Sequence, residues 1–218
     1  MLENIKAAIF DMDGTIVDSM WVWDEIDENY LGKHNIEIPE TLKDSIAHLS
    51  YNEVAAYFKN TFNLPYTVDE IKEHWNEMAY EEYSKNIKLK PGVRTFFELL
   101  RRNNIKIALA TSNSTSLLEA CLKGNDIYEY FDVITTTNEV NRGKDFPDVY
   151  LLTAEKLGVA PENCMVFEDI LPAVKGAKAA NMKVVGVHDE YSTKDHEAMK
   201  ELADIFINEY DELNKKIS

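Results

Sequence analysis

The chain has 218 residues, of which 45% are hydrophobic and 11% aromatic; this excludes a disordered chain and leaves room for one core domain plus an insertion. Its 23 basic and 39 acidic side chains give a net charge of −16, which argues against nucleic acid or an anionic membrane surface as a partner. No apolar run reaches the length of a membrane span, and Met1-Leu2-Glu3-Asn4-Ile5-Lys6 has neither the charged leader nor the apolar core of a signal peptide.

In chain order, the first element is the apolar run Ala7-Ala8-Ile9-Phe10, which suits a strand buried on both faces. It ends abruptly in Asp11-Met12-Asp13-Gly14-Thr15, so two carboxylates stand at the strand's carboxyl end, where open parallel sheets bind their ligands. A strand end followed by a common Asp-Gly turn accounts for these residues; the functional alternative is that two acids so close call for a cation, and Mg²⁺ bound through carboxylate and phosphate oxygens answers that repulsion. The chain from Phe10 to Ile105 is far too long for one crossover helix. Within it Val22, Ile26 and Tyr30, then Val54, Phe58 and Phe62, then Ile71, Trp75, Met78 and Tyr83 recur at helical spacing. A small helical bundle over residues 16–89 is predicted, returning through a hinge at Lys90-Pro91-Gly92.

Beyond it helices and strands alternate. Helices are expected from Pro91 to Arg102, Ser114 to Lys123 and Val149 to Leu157, each with an apolar face. Strands are expected at Ile105 to Ala110, Asp132 to Thr135, Cys164 to Phe167, Lys183 to Val187 and Ile205 to Ile207. The pattern predicts an α/β fold, a doubly wound, mostly parallel sheet with an inserted helical cap: residues 1–15 and 90–218 form the core and 16–89 the cap. Asp11, Thr111, Glu168 with Asp169, and His188 with Asp189 all close apolar runs, which gathers polar chemistry on one rim. Cys121 and Cys164 lack metal-type spacing and read as free buried thiols in a reducing, cytoplasmic setting. The polar carboxyl end, Asn214 to Ser218, is expected to fray.

Asp11-Met12-Asp13-Gly14-Thr15, Thr111-Ser112-Asn113, Lys144-Asp145-Phe146-Pro147-Asp148 and Phe167-Glu168-Asp169 occur in that order. Together they resemble the haloacid dehalogenase-like superfamily, in the branch of β-phosphoglucomutase, phosphoglycolate phosphatase and other small phosphomonoester phosphatases. The resemblance implies Asp11 as nucleophile, forming an aspartyl phosphate, and Asp13 as general acid and base. It also implies Mg²⁺ on Asp11, Asp169 and the Asp13 backbone carbonyl, with Glu168 nearby, while Lys144 and Thr111 stabilise the transferring phosphoryl group. The lysine loop departs from the family's usual Lys-Pro-x-Pro, so a less stiff loop is expected.

The predicted cap holds 6 lysines, no arginine and 15 acids, a net charge of −9 and a poor surface for a second phosphate. A phosphatase acting on a small phosphorylated metabolite, as a monomer or weak dimer, therefore ranks above a phosphosugar mutase. Ser112 and Asn113 are expected beside the phosphate, and His48 and Tyr51 near the leaving group, with Trp21 and Trp23 candidates for the entrance. His34 and His74 read as surface residues. A dehalogenase would need neither Asp13 nor a metal, and a non-catalytic phosphate-binding protein would be expected to lack the nucleophile or metal ligands.

Overall fold

The computed structural model describes residues 2–46 and 49–217. Strand β1 (Ala7–Phe10) leads through β2 (Val17–Asp18) into helices α1 (Met20–Gly32), α2 (Leu42–Ile46), α3 (Tyr51–Thr61) and α4 (Val68–Glu81), and β3 (Lys88–Leu89) follows a π-helical turn at Glu82–Asn86. Then come α5 (Val93–Arg102), β4 (Lys106–Thr111), α6 (Thr115–Gly124), β5 (Val133–Thr136), α7 (Asp148–Leu157), β6 (Cys164–Glu168), α8 (Leu171–Ala179), β7 (Lys183–Val187), α9 (His196–Leu202), β8 (Ile205–Ile207) and α10 (Asp211–Ile217).

Six strands form a parallel sheet in the order β5-β4-β1-β6-β7-β8, as the alternation of strand and helix predicts. Successive strands step to one side of β1 and then to the other, so a crevice opens at the carboxyl ends of β1 and β6. Neighbouring side chains on a strand face opposite sides of the sheet. Ala8, Phe10, Met165 and Phe167 accordingly pack with α5, α6 and α10, while Ala7, Ile9, Cys164 and Val166 pack with α7, α8 and α9. Phe10 and Phe167 stack with centroids 4.4 Å apart, and burial of each such ring contributes about 1.5–3 kcal/mol.

The helical insertion starts its main helices with reciprocal caps. The Ser50 hydroxyl accepts from the Glu53 N–H at 3.3 Å while the Glu53 carboxylate accepts from the Ser50 N–H at 2.8 Å, and Thr67 with Glu70 repeats the arrangement on α4. Its interior is aromatic: Trp75 meets Phe58 edge-on at 4.9 Å, and Tyr51 and Tyr30 at 5.8 and 5.9 Å. His34 and His74 depart from their surface expectation. Both are half-buried, with His34 against Tyr66 at 5.5 Å and His74 against the same ring at 4.9 Å.

The two crossings into and out of the insertion pair as an antiparallel ribbon, Val17 opposite Leu89 and Asp18 opposite Lys88. Two residues a side are too few to show a sequence period. Of the carboxyl end expected to fray, Asn214 to Ile217 instead belong to α10, where Leu213 is buried and Asn214 Nδ2 donates to the Gly92 carbonyl at 3.1 Å, and Ser218 lies outside the described residues. Cys121 and Cys164 are buried free thiols, as expected. Among the described residues no helix is long and apolar enough to cross a membrane.

Candidate active site

Phe10 lies opposite Phe167 in the β1–β6 register, so the carboxylates that follow each strand arrive side by side. The Asp11 N–H donates to the Phe167 carbonyl at 3.1 Å, which holds the first turn beyond β1 against β6. Lys144 Nζ donates to Asp11 Oδ1 and, at 2.8 Å, to Glu168 Oε1, which also accepts from the Tyr150 hydroxyl at 2.8 Å. Thr15 Oγ1 donates to Asp169 Oδ1 at 2.8 Å. Lys144 is only 4% exposed; burial opposes its charge, but Asp11 and Glu168 hold its ammonium above the usual lysine range.

One ligand oxygen from each of Asp11, Glu168 and Asp169 lies within 4.8 Å of the others. Burial, then Asp11, push the Glu168 carboxyl up to about 8 against the pull of Lys144, and burial with the charges of Asp11, Glu168 and Asp189 drives Asp169 well up. Glu168 Oε2 is buried without a partner among the described residues. Three carboxylates against one lysine, an all-oxygen donor set and an orphaned carboxylate oxygen fit a hard divalent cation such as Mg²⁺.

Gly14 permits this closeness. Its φ of +75° is one that side-chain-bearing residues rarely adopt, and a Cβ there would collide with the Asp169 carboxylate. On the other side α8 approaches through Gly176, where a Cβ would run into the Lys144 carbonyl.

Asp13 points away from this cluster. Its Oδ1 accepts from the Ser19 hydroxyl at 2.6 Å and the Tyr83 hydroxyl at 2.5 Å, and its Oδ2 from Asn113 Nδ2 at 2.8 Å. Burial and the neighbouring Asp11 raise its carboxyl above the usual range, while the three donors pull the other way. The Thr111 hydroxyl accepts from the Asn113 N–H at 3.1 Å, and Ser114 supplies the cap of α6, so Asn113 is free to reach Asp13.

Asp11, Asp13, Thr111, Ser112, Asn113 and Lys144 all line a cavity of about 460 Å³ between the sheet rim and the insertion, and Asp169 joins them. Glu168 lies behind Lys144, fully buried. Tyr51 lines the opposite wall, with its hydroxyl donating to Asn76 Oδ1 at 3.1 Å, and Trp23 lies there too. Trp21 instead donates its indole N–H to the Asp18 carbonyl at 3.2 Å. His48 lies outside the described residues. Of the rim pair His188 and Asp189, Asp189 forms a buried ion pair with Lys90 at 2.8 Å, and Lys90 also donates to the His188 carbonyl at 2.7 Å.

Several participants escape sequence reasoning. Tyr83 and Tyr150 sit at helical apolar spacing and read as core, yet both hydroxyls reach site carboxylates. Ser19 stands at the N-cap position of α1 without capping it, because its hydroxyl goes to Asp13. Asp24, Asp27 and Lys43 of the insertion also line the cavity and carry no motif. Burial and the nearby Asp24 push the Asp27 carboxyl up to about 7, and Lys43 pulls it down.

The family described as haloacid dehalogenase-like hydrolase matches residues 5–181. The chain is 31% identical over 198 residues to the phosphorylated carbohydrates phosphatase of Thermotoga maritima, covering 90% of this chain and 91% of that one. It is 29% identical over 222 residues to hexitol phosphatase B of Escherichia coli, covering 98% and 96%. The solved structure of CbbY from Rhodobacter sphaeroides in complex with phosphate has the same fold, with a TM-score of 0.85, 24% identity and 96% of each chain covered.

Proposed function

Because the chain belongs to the haloacid dehalogenase-like hydrolases, we propose that it is a Mg²⁺-dependent phosphatase that hydrolyses a small phosphomonoester, a phosphorylated carbohydrate or a similar metabolite, through an aspartyl phosphate on Asp11. The observation that carries this reading is Asp11 at the cavity floor, paired with Lys144 and within 4.8 Å of Glu168 and Asp169. Residues 16–89 act as a cap that keeps water from the site while the phosphoryl group transfers.

Asp11 attacks phosphorus in line, splitting one difficult displacement into two easier ones. The Lys144 ammonium, held charged in a buried site, offsets the charge of Asp11 and of the transferring group, and the Thr111 hydroxyl donates to a phosphate oxygen. Asp13 carries a proton more readily than an ordinary carboxyl and delivers it to the leaving alkoxide, then accepts one from the attacking water. Ser112 contacts the phosphate, Asn113 lies beside it with its amide holding Asp13, and Tyr51 contacts the leaving group. Asp11, Asp169 and the Asp13 carbonyl hold Mg²⁺ with Glu168 beside them; when bound, the ion neutralises phosphate charge and orients the oxygens.

The test is phosphate release from a panel of sugar phosphates, nucleotides and phosphoglycolate with and without Mg²⁺, with conversion of glucose 1-phosphate to glucose 6-phosphate followed in parallel. Metal-dependent release that Asp11→Asn abolishes without unfolding the protein is expected. Isomerisation with little free phosphate overturns the phosphatase reading in favour of a mutase, and substantial turnover by pure Asp11→Asn overturns the nucleophile.

A further inference from the structure

The far half of the cavity has an uncommon charge arrangement. Its two lysines each already hold a carboxylate: both oxygens of Asp24 lie 2.7 Å from Lys43 Nζ, and Lys194 pairs with Asp44. Lys43 Nζ is further held 4.8 Å above the Tyr191 ring. Asp27, one turn along α1 from Asp24, lines the same wall and accepts no hydrogen bond from the described residues. Trp23, Tyr51 and Trp75 complete the wall, and the buried indole N–H of Trp75 has no acceptor among the described residues.

A half-buried carboxylate that takes no donor from the protein is open to one from a ligand. A ligand hydroxyl does so, and the aromatic rings suit the C–H faces of a polyol. Above about pH 7, where Asp27 is ionised, a ligand carboxylate or second phosphate meets it as a like charge and finds both nearby lysines already paired. We infer that Asp27 is the specificity-determining residue of this enzyme: it accepts a hydrogen bond from a hydroxyl of an uncharged polyol leaving group and turns away leaving groups that carry a second anion. This rests on the phosphatase reading above.

Glucitol 6-phosphate and 6-phosphogluconate differ only at the end remote from the phosphate, one carrying an alcohol and the other a carboxylate. The ratio of their kcat/KM values is measured at about pH 8, where Asp27 is ionised, for the wild type, Asp27→Asn and Glu28→Gln, the last removing an exposed charge from the same helix. The wild type is expected to prefer the alcohol at least tenfold, Asp27→Asn to shrink that preference at least fivefold, and Glu28→Gln to keep it. A wild-type ratio near one, or an Asp27→Asn ratio equal to that of the wild type, overturns the assignment. Calorimetric titration of the two compounds into the same proteins in Mg²⁺ separates the two readings. Without phosphate release from any substrate the phosphatase reading fails, while the binding preference and its loss in Asp27→Asn still decide the role of Asp27.

Discussion

Replacing Asp27 by Asn should make the protein more stable, and the gain should depend on pH in a way set by the position of this carboxyl. Folded Asp27 keeps its proton up to about pH 7, whereas in the unfolded chain it is lost near the ordinary 3.8. Between those values the native state binds more protons than the unfolded state, so stability falls as pH rises through that window and levels off above it. The full difference sets a ceiling of about 4 kcal/mol. Asp27 remains partly exposed and Lys43 lies near, so solvent and counter-charge leave about 1–2 kcal/mol as the expected penalty. The assay is urea unfolding of wild type and variant, followed by tryptophan fluorescence, from about pH 4 to about pH 8.5. The advantage of Asp27→Asn should be absent near pH 4, grow towards pH 7 and stay constant above it, by the linkage just given. A difference that does not change with pH, or a variant less stable than the wild type near pH 8, would mean that Asp27 has no raised pKa in the folded state.

Gly14→Ala should lower stability by about 1–2 kcal/mol through its left-handed backbone alone, and should abolish the rise in melting temperature expected of the wild type in Mg²⁺, because the new methyl displaces the Asp169 carboxylate; an undiminished Mg²⁺ shift in differential scanning fluorimetry would count against that placement. Tyr83→Phe removes the donor 2.5 Å from Asp13 Oδ1, so kcat for an alkyl phosphate should fall roughly tenfold while p-nitrophenyl phosphate, whose leaving group hardly needs an acid, loses much less. Equal losses on both substrates would show that Tyr83 supports the fold rather than the proton transfer.

Much of the fold and of the candidate site was legible in the chain because strands buried on both faces are short apolar runs, and an acid that ends such a run is conspicuous. Ala7 to Phe10 followed by Asp11, and Cys164 to Phe167 followed by Glu168 and Asp169, mark the acidic rim of the candidate site by composition and local spacing. Lys144 has no such signature; its place among family motifs marks it, and only the tertiary structure brings it from 133 residues away onto Asp11. The short ribbon of Val17-Asp18 with Lys88-Leu89 lies below the length at which a period exists.

Helical periodicity tells which face of a helix is apolar but not what the polar tip of a buried aromatic reaches. Tyr83 therefore reads as core, and its hydroxyl reaches Asp13, 70 residues away, only because the insertion lies over the sheet. Ser19 carries the ordinary signal of a helix cap, and the fold spends its hydroxyl on Asp13 instead. Asp24, Asp27 and Lys43 look like a solvated helix face in one dimension. The alternation of strand and helix, the acids at the strand ends and the acidic character of the insertion are properties of local sequence, since each depends on residues adjacent in the chain. Which hydroxyls hold Asp13, which carboxylate keeps Lys43 and which one faces the cavity without a donor were decided by tertiary structure alone, because each depends on the distance between segments that the chain order does not set.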